Sequence, residues 1–131
     1  MLNASTCREP PAVAGIMPGQ FWRIEVAPQG TPSEKMRRAL AEANVVIYDR
    51  ALAPLVAALL PLGGYAEPAP TRDGAADPAA DRCTSFARDG WSVLRLAVGA
   101  TLQDRLTVLM DPVGGVGAAR LYAVAANGLA G

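Results

Sequence analysis

The run Val45-Val46-Ile47-Tyr48 constrains this chain more than any other feature. Four consecutive β-branched or aromatic residues, with no polar residue between them, read as a strand covered on both faces. That is the situation of a parallel sheet with helices on either side. Helical patterns flank the run. Upstream, Met36, Leu40 and Ala43 fall on one face of a stretch whose other face holds Lys35, Arg37, Arg38 and Glu42. Downstream, Leu52 to Leu60 forms a second, apolar helix.

The same alternation continues on both sides. Phe21 to Ala27 alternates, then runs apolar, and empties into Pro28-Gln29-Gly30, the pattern of a strand and its turn. Thr31, Pro32 and Glu34 then spell a helix start, with Thr31 as cap, Pro32 at the first helical position and Glu34 reaching back to complete a capping box. Gly63 to Ala66 reads as a brief strand, and Glu67 to Ala76, rich in Pro, Ala and Gly, as a surface loop. Asp77-Pro78 repeats the cap-and-proline start of a helix that closes at Asp89-Gly90. Strands follow at Trp91 to Ala97 and at Leu106 to Met110, and a final helix is expected from about Val113 to Ala126.

Strands alternating with helices at this spacing predict a single small α/β domain, with a mostly parallel sheet of four or five strands and flanking helices. It spans residues 20–131 and follows a flexible arm at residues 1–19. In such sheets ligands bind outside the carboxyl ends of the strands, here the turns after Ala27, Tyr48, Ala97 and Met110.

Composition removes several function classes. Lys+Arg 12 balances Asp+Glu 12, so nothing invites nucleic acid or an anionic membrane. Histidine is absent, which excludes a Ser-His-Asp or Cys-His catalytic unit and a histidine metal site. Cys7 and Cys83 fit no metal spacing and read as free thiols in a reducing compartment. The longest apolar stretch, Ala51 to Leu62, is too short for a bilayer and is interrupted by Pro54 and Pro61. The N-terminus has neither a basic start nor a long apolar run, so a cytoplasmic location is expected.

The segment Glu42-Ala43-Asn44-Val45-Val46-Ile47-Tyr48-Asp49-Arg50-Ala51-Leu52 resembles the strand and exit of the tetrapyrrole methylases, and in particular the uroporphyrinogen-III C-methyltransferases, whose pattern reads E-A-D-V-V-x-Y-D-R-L-V. Phe21 to Pro32 is similar to the family's first strand and its G-x-G-P-G-D-P turn, of which Gly30 and Pro32 remain while Thr31 replaces the acid. Ala87 to Leu96 resembles A-R-E-G-x-x-V-V-R-L. The family's K-G-G-D-P loop comes next, and here it reads Ala97-Val98-Gly99-Ala100-Thr101. Leu106 to Met110, with Ala118 to Leu121 and Ala126 to Leu129, is similar to the later strand and helix, the segment normally between them being lost.

The resemblance implies an S-adenosylmethionine-dependent methyl transfer to a uroporphyrinogen-like tetrapyrrole, as in siroheme or cobalamin biosynthesis, by a homodimer. It places Gly30, Pro32, Gly99 and Met110 at the cofactor and Asp49 and Arg50 at the substrate, and it implies no metal. Each position also has a plainer reading. Asp49 and Arg50 can be a structural pair at the strand exit, Arg95 a solvated or internally paired arginine, Met110 core filling, Trp22 and Trp91 packing residues, and Gly114-Gly115-Val116-Gly117 a flexible helix entry. With the K-G-G-D-P loop decayed, little or no activity is expected of the isolated chain. The alternative is a non-catalytic dimeric binding or assembly module derived from the family. Leu55, Val56, Leu59 and Leu60 are the apolar helix surface expected to lie uncovered and to drive dimerisation.

Overall fold

Val45 to Tyr48 is a strand flanked on both sides by parallel neighbours. The computed structural model describes residues 15–28, 31–72, 74–99 and 104–112, and the backbone of 120–124. The elements run β1 (Phe21–Val26), α1 (Glu34–Glu42), β2 (Val45–Tyr48), a 3₁₀ turn (Arg50–Leu52), α2 (Ala53–Leu59), β3 (Tyr65–Pro68), α3 (Pro78–Arg88), β4 (Val93–Val98), β5 (Asp104–Met110) and β6 (Arg120–Val124). The sheet has the order β3-β2-β4-β1-β5-β6. Four strands, β3, β2, β4 and β1, are mutually parallel, while β5 and β6 join antiparallel at the β1 side.

The fold is therefore the expected α/β domain with a largely parallel sheet, enlarged to six strands among the described residues. The extra strand corrects the final helix, since Arg120–Val124 is extended and pairs with β5. Glycines at 114, 115 and 117 are poor helix residues, and Tyr122 and Val124 belong to types that favour extended backbone. A strand beside β5 also satisfies backbone groups that β5 would otherwise leave open.

The two faces of the sheet bury different clusters. Trp22, Ile24, Val26, Val46, Leu94, Leu96, Leu106 and Val108 pack with Met36, Ala39 and Leu40 of α1 and with Leu52 and Val56. On the opposite face Phe21, Val45, Ile47 and Val93 meet Ala79, Cys83 and Ala87 of α3. Val45, Val46 and Ile47 are all buried, so β2 is covered on both faces as its composition requires. Ile16, assigned to the flexible arm by composition, is buried in the first cluster, and the amide of Gly19 donates to Trp91 O at 3.0 Å. Among the described residues no helix is long and apolar enough to cross a membrane.

Two local expectations change. The cap of α1 is Ser33 rather than Thr31: the Ser33 hydroxyl accepts from the Met36 amide at 3.1 Å, and Thr31 is exposed. The polar residue next to the first helical turn wins because only there can a short side chain reach an unpaired amide. The surface expected on the second helix is also largely covered. Val56 is buried, and Leu55, Leu59 and Leu60 pack against the first cluster. By contrast, α3 starts as anticipated, with Asp77 accepting from the Ala80 amide and Pro78 in the first turn, and it exits through Gly90 at φ +97°.

Candidate functional site at the carboxyl edge of the sheet

The parallel strands deliver their carboxyl ends to one edge, and their exits are tied sideways by backbone bonds. Ala69 N donates to Tyr48 O at 2.7 Å, Asp49 N to Leu96 O at 2.9 Å, and Gly99 N to Val26 O at 2.8 Å. Asp49 stands in the middle of this edge. Its Oδ1 accepts from Arg95 Nη2 at 2.6 Å and its Oδ2 from the Val98 amide at 2.9 Å. Arg95 spends its other terminal nitrogen on Leu96 O at 2.6 Å. Burial raises the Asp49 carboxyl, but the Val98 amide and the Arg95 guanidinium outweigh it and hold the group below its usual value. Asp49 thus locks the exit of β2 to the end of β4, and both its oxygens serve the chain itself.

Arg50 parts company with its neighbour. It opens the 3₁₀ turn, is exposed, and forms no ion pair among the described residues. Of the two residues assigned to a substrate, Asp49 is half-buried and engaged within the chain, and Arg50 is the exposed one.

Three of the four positions assigned to a cofactor lie among the described residues, and Met110 stands apart from the other two. Gly99 lies at the carboxyl edge, but a Cβ there would come within 3.0 Å of Glu25 Cβ and 3.3 Å of Glu25 C. A side chain there would press on β1, so Glu25 would have to give by a few tenths of an ångström. Pro32 lies half-buried just ahead of the α1 cap, and Gly30 lies outside the described residues. Met110 is at the opposite edge. Because β5 runs antiparallel, Met110 pairs with Phe21 at the start of β1, whereas Gly99 follows the register partner of Val26 at its end. Six strand rises separate the two positions along the sheet, about 20 Å. Met110 packs against the α3-side cluster, the plainer of its two readings. Of the described positions, Gly99 and Met110 therefore stand at opposite edges of the sheet.

A residue that sequence patterns did not single out completes the edge. Asp104, at the start of β5, is 2 % exposed and accepts from the Ser33 amide through Oδ2 at 3.2 Å. A carboxylate of the chain thus sits at the N-terminus of α1, where helix amides draw an anion. Burial pushes its pKa up, against the pull of the Ser33 hydroxyl and amide. The partners are 71 residues apart, and no local pattern connects them.

Residues 99 and 104 stand on opposite flanks of β1 at its carboxyl end.

Trp22 is buried, its indole donating to Gln20 Oε1 at 3.0 Å, while Trp91 is 49 % exposed and so is not the packing residue expected. Among the described residues no group of acids and cysteines could hold a metal. No protein-family model matches the chain, and no curated protein does.

Proposed function

We propose that this chain is a non-catalytic binding or assembly module, built on a shortened tetrapyrrole-methylase-like lobe and acting as a homodimer. The observation that carries this reading is the double engagement of Asp49 by Arg95 and Val98 at the strand exit. A second internal contact agrees with it, since Asp104 holds the N-terminus of α1. Groups that would have to turn towards a cofactor or a substrate are bonded within the chain, and releasing them would cost stability. The separation of Gly99 from Met110 supports the same reading. The buried free thiol of Cys83 fits a reducing, cytoplasmic compartment.

The descent from a methyltransferase-like design is part of the proposal and rests on the motifs at Glu42 to Leu52 and Ala87 to Leu96. One observation favours a retained enzyme instead. The exposed Arg50 could meet a tetrapyrrole carboxylate at this edge.

Titration calorimetry with S-adenosylmethionine and its demethylated product separates the two readings, alongside a methyl-transfer assay with uroporphyrinogen III. The module predicts no heat of binding at high ligand concentration and no transfer. Micromolar binding or measurable turnover would establish the enzyme.

A further inference from the structure

We draw no further inference here: the strongest candidate, the exposed apolar patch at the amino ends of the parallel strands formed by Met17 ahead of β1, Leu62 and Tyr65 at β3 and Trp91 ahead of β4, carries nothing because nothing in the structure shows what covers it.

Discussion

Asp49 and Arg95 meet at 2.6 Å across the seam between β2 and β4, and the second oxygen of Asp49 takes the Val98 amide at 2.9 Å. A residue at one strand exit therefore holds the last turn of its neighbour. Asp49→Ala would leave Arg95, whose side chain is 11 % exposed, without its carboxylate and should destabilise the fold by about 2 kcal/mol. The folded pKa of Asp49 is depressed, so its contribution is present above the unfolded value and is lost as pH falls through the folded one. Urea unfolding from neutral to acid pH should show a shallower acid limb for Asp49→Asn. Wild-type stability in Asp49→Ala would mean that the pair is idle and the carboxylate free for a ligand.

The start of α1 allows a paired comparison. Ser33→Ala removes the acceptor of the Met36 amide and should cost about 1 kcal/mol, whereas Thr31→Ala should change stability by no more than a few tenths. Thermal or urea midpoints of the two variants suffice, and a reversed order would return the cap to Thr31.

Asp104 titrates in the opposite sense to Asp49. Its folded pKa is raised, so the charged form costs stability above the folded value, and that cost disappears as pH falls below the unfolded value. Asp104→Asn keeps an oxygen for the Ser33 amide and discards the charge. It should be as stable as the wild type or more so at neutral pH, with the difference vanishing in acid. Asp104→Ala should lie about 1 to 2 kcal/mol below Asp104→Asn, because the Ser33 amide loses its acceptor. Equal stability of the Asn and Ala variants would show that the contact contributes nothing.

Cys83 is completely buried and burial pushes its thiol up to about 12, so the nucleophilic thiolate is scarce in the folded state. In a Cys7→Ser background, labelling by an aromatic disulfide reagent should proceed only at the rate at which the chain opens, and should accelerate sharply with urea. Rapid labelling under native conditions would contradict the packing of α3 on the sheet.

Much of this architecture is legible locally. β2 matches its four-residue run because continuous burial leaves no polar position, and α3 is bracketed by Asp77-Pro78 and Gly90 because caps act over three or four residues. The cap of α1 is not legible to the residue, since Thr31 and Ser33 carry the same chemistry and only the path of the turn decides between them. An arginine alternating with apolar neighbours in a strand reads equally as solvated or as internally paired, and only the neighbouring strand exit supplies Asp49 and decides for the pair.

By itself the sequence determined which segments are strands and helices up to Met110, to within two residues at their ends, the brief strand expected at Gly63 to Ala66 lying at Tyr65–Pro68, and that the central strand β2 is buried on both faces. These follow from side-chain periodicity and capping within a few residues. Tertiary structure decided the direction of β5. With that direction came the opposite placement of Gly99 and Met110, the seating of Asp104 against Ser33, and the strand at Arg120–Val124 in place of a helix. An apolar alternating strand reads the same in either direction. Its orientation is set by which neighbour's backbone it pairs with, and that choice joins residues many positions apart.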